Sequence, residues 1–324
     1  MKVIYTITPN PALDLGGDVE TLIPSEKAYV HHETQFPGGN AINAARIIHK
    51  LGLPVIAGGF LGGGVGRELE ELLQREGVAC AFIQIRGQTR IGVTVTDQRT
   101  RLQTRLSFPG PRLRSIDLKR MARWISGMRS PALIVIGGSL PPGFSPAALI
   151  EMMQKARIRG IPCVVDTPGK VLKKLISHQP LLIKPNLTEF QELVGKKVTS
   201  VGQVLKAARK QSAKVPLICV SSVEGGALMI TPRNAWFGRI PRVKVRTTVG
   251  AGDSMVGAMT AQLWRQRKNF LPLELGFSER CDAGGLLRWG LAAATASLIT
   301  PGTQLGERRQ ILRFYAKIRI TQVE

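Results

Sequence analysis

The chain is short of the residues that mark several specialised chemistries. Its four cysteines (Cys80, Cys163, Cys219 and Cys281) are scattered, with no C-x-x-C pair and no histidine at ligand spacing. Neither a zinc site nor a disulfide framework is indicated, and core thiols are expected. The four histidines form no arrangement that suggests a triad. Nowhere does an apolar run approach the roughly 18 to 20 residues of a membrane span, and the opening MKVIYTITPNPALD lacks the long apolar region of a secretion signal. A cytoplasmic protein without membrane association is the expectation. Acids are also scarce: 22 against 45 Lys and Arg, for a net charge of +23. That excess attracts polyanions. Most of the basic residues are nevertheless spread between Arg86 and Arg319, and aromatics make up only 5%. Specific nucleic-acid recognition is therefore not expected, although non-specific polyanion binding is. Two nucleotide signatures are missing as well. Gly62-Gly63-Gly64-Val65-Gly66 does not match G-x-G-x-x-G, and no G-x-x-x-x-G-K-[ST] loop occurs, so a nucleoside triphosphate must be held in another way.

What is present is an alternation of short apolar runs with amphipathic stretches, the pattern of parallel strands joined by helical crossovers. KVIYTIT, PVIAGGF, ALIVIGG, CVVDTP, LLIKPN and PLICVSS read as core strands, and helices are expected over about 41–51, 65–76, 146–159, 199–211, 251–265 and 284–298. An α/β, doubly wound, mostly parallel sheet follows, with ligands at the carboxyl ends of its strands. The runs AFIQIR, IGVTVTD and RLQTRLSF alternate apolar with polar residues, which predicts a small antiparallel sheet. The expected organisation is one domain over 1–324, with a β lid formed by about 16–30 and 81–108. Residues 269–285 read as a loop insertion.

Residues 249–259 (VGAGDSMVGAM) carry the strongest chemical signal. Gly250 and Gly252, with Ala251 between them, let an anion approach backbone N–H groups at a helix start. Asp253 has no Lys or Arg within four residues on either side, which suits a base acting on a hydroxyl. The competing reading is a glycine turn with an aspartate cap. Gly38-Gly39-Asn40-Ala41-Ile42-Asn43 suits either a capped helix start or close approach of a polyol, with Asn43 donating and accepting. In Lys184-Pro185-Asn186-Leu187-Thr188-Glu189 the spacing of Asn186 and Glu189 fits a capping box, and it equally fits two contacts to a hydrated Mg²⁺. Gly137-Gly138-Ser139-Leu140-Pro141-Pro142-Gly143 by itself indicates a tight turn.

Taken in order, TPNPALD (8–14), FPGGNAINAAR (36–46), GSLPPG, VVDT, KPNLTE, TVGAGDSMVGAM and PGT (301–303) resemble the ribokinase-like carbohydrate kinases of the PfkB type over nearly the whole chain. Within that family the resemblance is strongest to the minor-isozyme group of ATP-dependent 6-phosphofructokinases. It implies a kinase using ATP and Mg²⁺, with Asp253 as base and the Gly250, Ala251 and Gly252 amides as anion hole. It places the sugar hydroxyls at Asp14, Gly38, Gly39, Asn43 and Ser139, and the sugar phosphate at Lys27, Arg90 and Arg105. The ATP site falls at Lys184, Asn186 and the 221–226 segment, including Ser221, Val223 and Gly226, with Glu189 organising Mg²⁺ through water. Thr247, Val249, Ser297, Thr300, Gly302 and Gln304 correspond to a monovalent-cation loop with changed side chains, which implies K⁺.

Two departures bear on specificity. Asn40 and Ala41 stand in a glycine run where the sugar approaches, and Glu224 puts an acid in the nucleotide segment. The expected acceptor is a phosphorylated ketohexose, fructose 6-phosphate before fructose 1-phosphate, tagatose 6-phosphate or a free sugar, and the expected assembly is a homodimer. A nucleic-acid-associated protein on a kinase fold is the alternative of another class, but it would not need the intact set of Asp253, Asn186 and Glu189.

Overall fold

The computed structural model describes residues 2–270 and 281–324. In chain order the strands are β1 (Val3–Thr8), β2 (Ala12–Val19), β3 (His31–Gly38), β4 (Val55–Gly62), β5 (Ala79–Ile85), β6 (Arg90–Asp97), β7 (Gln103–Ser107), β8 (Pro131–Gly137), β9 (Cys163–Asp166), β10 (Leu182–Ile183), β11 (Leu217–Val223), β12 (Gly226–Ile230), β13 (Ala235–Arg239) and β14 (Ile320–Val323). The helices are α1 (Asn40–Lys50), α2 (Gly63–Arg75), α3 (Ser115–Gly127), α4 (Pro146–Ile158), α5 (Gly169–Leu175), α6 (Leu187–Val194), α7 (Val201–Arg209), α8 (Ala251–Phe270), α9 (Ala283–Leu298) and α10 (Arg308–Lys317).

Ten strands form one sheet in the order β14-β13-β12-β11-β10-β9-β8-β1-β4-β5, parallel from β11 through β5 and antiparallel from β11 to β14. Because successive strand residues face opposite sides, the apolar runs feed two cores. Ile4, Leu133, Val135, Val164, Leu217 and Cys219 pack on the side of α1, α8 and α9; Tyr5, Ile7, Ile134, Ile136, Val165, Ile218 and Val220 pack on the side of α3 to α7. Burial on both faces explains why these strands read as continuous apolar runs. The strand order turns back between β1 and β8, the kind of switch point beside which open α/β sheets bind ligands.

A second sheet, β3-β2-β6-β7, grows from the carboxyl ends of β1 and β5 and covers the mouth of that crevice. It pairs β2 with β3 and β6 with β7 antiparallel, but β2 with β6 parallel. The lid therefore differs from its expected outline. AFIQIR belongs to β5, a parallel edge strand of the large sheet: Ile83 enters the core while Gln84 bonds Glu70 outside. An edge strand alternates because its faces are only partly covered, which mimics a small-sheet strand. Residues 20–30 form no strand, whereas HHETQFPG does, despite its polar residues and Pro37. Proline in a strand is tolerated at such a margin.

The six expected helices are present within a few residues, α8 running on to Phe270. The expected 269–285 loop is narrower at both ends, and its residues 271–280 lie outside the described residues. The helices α3, α5 and α10 and the hairpin β12–β13 were not foreseen. The cysteines are free thiols, three buried and Cys80 half-buried, as expected. Among the described residues no helix is long and apolar enough to cross a membrane.

Candidate active site

A cavity of about 780 Å³ opens at the carboxyl ends of the parallel strands, between the lid and the starts of α1 and α8. Asp14, Gly39, Asn43, Arg90, Arg105, Lys184, Asn186, Glu189, Ser221, Gly226 and the whole run from Val249 to Asp253 line it, so most of the residues singled out above meet in one place. Positions 62–66 do not line it: a Cβ at Gly62, Gly63 or Gly66 would run into Gly87, Gln88 or Thr89, so these three glycines serve close packing at the start of α2.

The floor is the start of α8. Gly250 has φ +76°, a left-handed conformation in which a side chain is strained. The turn it makes brings Ala251 directly into helix, with Ser254 N–H donating the first intrahelical bond to Gly250 O at 2.8 Å. The amides of Ala251, Gly252 and Asp253 precede that bond, and helix geometry gives them no partner of their own. Together with the helix dipole they favour negative charge. A Cβ at Gly252 would sit 3.2 Å from Lys184 Nζ, so the missing side chain also makes room for the ammonium.

Asp253 Oδ2 accepts from Asn43 Nδ2 at 2.8 Å. Burial, and then the charge of Asp166, push its pKa up to about 6, against the Asn43 bond, Lys184 and Arg105. A carboxylate so tuned is ionised at neutral pH yet basic enough to take a proton from a hydroxyl.

Lys184, 4% exposed, pairs with Asp166 Oδ1 at 3.3 Å. Burial opposes its charge, but Asp166, then Glu189, outweigh burial and hold the ammonium above its usual pKa. Asp166 was not singled out from sequence. The signal was the D of VVDT, an acid closing a buried strand at its carboxyl end. It also accepts from Asn40 Nδ2 at 3.4 Å, so the polar side chain at position 40 braces Asp166.

The capping reading of Asn186 and Glu189 is what the chain adopts: Asn186 Oδ1 accepts from Glu189 N–H, and Glu189 Oε2 accepts from Asn186 N–H, both at 2.9 Å. Both residues line the cavity all the same. Among the described residues no cluster of three or more acid, His or Cys side chains could cage a metal. Glu189 and Asp166 instead suit a Mg²⁺ that travels on phosphate oxygens and keeps its waters.

On the lid side, Asp14 is 3% exposed. A Cβ at Gly38 or at Gly92 would collide with its carboxylate, so both glycines clear space for it. Burial raises its pKa, opposed by Arg105, Arg90 and Arg46. Strand alternation sets these neighbours: Ala12 pairs with Arg90, Asp14 with Gly92 and Thr94 with Arg105, all on the cavity face. Arg90 is steadied by the Asn10 and Phe108 carbonyls at 3.2–3.3 Å, while Arg105 is exposed at the mouth.

Other expected residues lie off the cavity lining. Lys27 is exposed, with its Nζ 4.6 Å from the Tyr29 ring centroid. Ser139 accepts from Asn10 Nδ2 at 3.2 Å. Val223 is fully buried in the core, while its neighbour Ser222 lines the cavity. Glu224 turns outward to Arg239 and to the N–H of Val201, so the acid is withdrawn from the nucleotide segment. Gly226 permits close approach of β13, because a Cβ there would strike Gly238 O.

In the segment expected to bind a monovalent cation, Thr247, Ser297 and Thr300 are buried. Thr300 donates to the carbonyls of Ser297 and Gln304, Thr247 Oγ1 accepts from Val249 N–H, and Gly302 adopts φ +56° beside Thr34 of the lid. This oxygen set has the right chemistry for a hard cation, but two of its carbonyls are already engaged.

Residues 10–307 match the model of the pfkB family of carbohydrate kinases. The chain is 33% identical over 319 residues to ATP-dependent 6-phosphofructokinase isozyme 2 of Escherichia coli, covering 98% of this chain and 99% of that one. It is 28% identical over 324 residues to the 1-phosphofructokinase of Bacillus subtilis, covering 99% and 100%. The crystal structure of phosphofructokinase-2 from Escherichia coli in complex with fructose-6-phosphate superposes with a TM-score of 0.88, at 31% identity and coverage of 98% and 99%.

Proposed function

The chain belongs to the pfkB family of carbohydrate kinases, and from that premise we propose that it transfers the γ-phosphoryl of ATP to a hydroxyl of fructose 6-phosphate. It is a phosphofructokinase-type sugar kinase, for which its relatives imply ATP and Mg²⁺. The choice of sugar phosphate is the proposal. The observation that carries it is the convergence, in one cavity, of Asp14 flanked by Arg90 and Arg105 with Asp253 and the α8 amides. Paired guanidinium groups suit a phosphate dianion, and a buried carboxylate suits sugar hydroxyls.

In this reading Arg90 and Arg105 hold the sugar phosphate while Asp14 accepts from ring hydroxyls. Asp253 takes the proton of the attacking hydroxyl as its oxygen bonds to phosphorus and the bond to the ADP oxygen breaks. The amides at 250–253 and the Lys184 ammonium face the charge that develops. ATP with its Mg²⁺ supplies the phosphoryl group, held at Lys184, Asn186, Glu189 and the Ser221–Ser222 edge.

Fructose 1-phosphate is the second reading, favoured by the full-length likeness to a 1-phosphofructokinase. A coupled ADP assay over fructose 6-phosphate, fructose 1-phosphate, tagatose 6-phosphate and free fructose decides between them. Fructose 6-phosphate is expected to have the highest kcat/KM by at least tenfold. A higher value for fructose 1-phosphate moves the assignment to that sugar, and equal use of free fructose removes the phosphate-binding role of the arginines. Turnover in K⁺ against an equal concentration of tetramethylammonium tests the cation loop; a rise of several-fold in K⁺ is expected.

A further inference from the structure

Arg46 is the bulkiest fully buried side chain among the described residues, at 2% exposure, and no role in the reaction requires it. A guanidinium in the interior is strongly unfavourable unless every donor is matched. Glu76, at the end of α2, meets it as a fork: Arg46 Nε donates to Oε2 at 2.7 Å and Nη2 to Oε1 at 2.6 Å. Its Nη1 donates to the Pro37 carbonyl of β3 at 3.2 Å and to Asn43 Oδ1, three residues back on α1, at 3.3 Å.

The last contact has a consequence for Asn43. An amide presents an acceptor at one end and a donor at the other. A guanidinium can only donate, so the oxygen must face Arg46, and the NH₂ is thereby turned to Asp253, 2.8 Å away. The flipped amide would set oxygen against carboxylate and NH₂ against guanidinium, which is repulsive at both ends.

We propose that Arg46, clamped by Glu76, is a positioning residue for phosphoryl transfer: it locks the Asn43 amide, which aims the Asp253 carboxylate, and its bond to Pro37 ties that alignment to the lid. The inference rests on Asp253 acting as the base. Asp166, Lys184 and Arg105 face the same carboxylate from β9, the end of β10 and β7. Arg46 also contributes charge near Asp14, so the informative replacement keeps the charge and removes the fork.

The experiment measures kcat and both KM values of the full chain for Arg46→Lys and Glu76→Gln, each alone and combined with Asn43→Ala, beside Asp253→Asn. Each single variant is expected to lower kcat about ten- to hundredfold with KM for sugar phosphate and ATP within threefold, and neither should lower kcat further once Asn43 is alanine. Wild-type kcat in the single variants, or the same fold loss with and without Asn43, overturns the inference. Should Arg46→Lys fail to fold, Glu76→Gln carries the test, since it keeps the size of a side chain that is 29% exposed. Wild-type turnover in Asp253→Asn would instead remove the base. An inactive Asp253→Asn beside fully active Arg46 and Glu76 variants would remove only the positioning role.

Discussion

Two opposed influences decide what Asp253 can do. Burial and Asp166 disfavour its charge, while Asn43, Lys184 and Arg105 support it, leaving the pKa at about 6. With Asp253 as the proposed base, turnover should fall about tenfold per unit as pH drops below 6 and that carboxylate fills with protons, and stay flat above it until another group intervenes. Asp253→Asn should lower kcat by roughly two to four orders of magnitude with little change in substrate binding; steady-state kinetics across pH 5–9 reads both outcomes. Stability runs the other way. The folded pKa lies above the ordinary value of 3.8, so the contribution of this group is complete below that value and is lost as pH rises through 6. At pH 8 Asp253→Asn should melt about 1–4 °C higher than the wild type, with the gain shrinking toward pH 4 in a thermal-shift series. Gly250 is a second residue-scale case. Alanine there meets both φ +76° and a Leu305 methyl 2.7 Å from its Cβ, so Gly250→Ala should lose about 1–3 kcal/mol in urea unfolding and most of its turnover.

At the scale of the element, the lid strands act through their period of two. β6 carries Arg90, Gly92 and Thr94 on the cavity face, and β7 brings Arg105 opposite Thr94, so one pair of strands delivers both cations and the space for Asp14. Arg90→Ala should raise KM for the sugar phosphate at least tenfold and KM for ATP little, because a charge-assisted hydrogen bond contributes about 1.5–3 kcal/mol. An equal rise in both constants would place Arg90 outside the sugar subsite. The helices contribute through their ends. α1 and α8 both start at the cavity, and α6 starts there with a capping box whose glutamate still lines the site.

For the whole molecule the dominant quantity is charge. With 45 basic and 22 acidic residues, non-specific binding to DNA or RNA is expected at low salt and should collapse between about 50 and 200 mM, while kinase activity persists. Binding to unrelated duplexes and single strands across a salt series checks this, and a sequence preference surviving at high salt would point to a separate nucleic-acid function. The lid also exposes Leu22, Ile23, Tyr29, Val30, Leu102, Leu106 and Phe108. Only Leu106 of these lies on a strand of the small sheet, and the others sit on the segments that adjoin its strands; an apolar collection of that kind predicts self-association. Sedimentation velocity should find a dimer that Leu106→Asp with Phe108→Asp converts to monomer.

The sequence alone determined six of the main sheet's ten strands and the glycine turn at the start of α8, because both are local. Buried strands announce themselves as apolar runs such as ALIVIGG, and a left-handed turn before a helix needs glycine at position 250 whatever surrounds it. It also carried six helices to within a few residues of their ends, since amphipathic spacing is a local signal. Tertiary structure decided what depends on partners far apart in the chain. AFIQIR alternates like a lid strand, and only its pairing with β4 assigns it to the large sheet; HHETQFPG looks like loop until β2 gives its backbone a partner. Whether Glu224 faces the nucleotide segment or Arg239 is a matter of turn geometry that composition does not encode. The same holds for the polar set around Asp253. Asp166, Lys184, Asn43, Arg46 and Glu76 come from four different elements or their ends, and their polar groups are tolerable only because folding brings each to its partner.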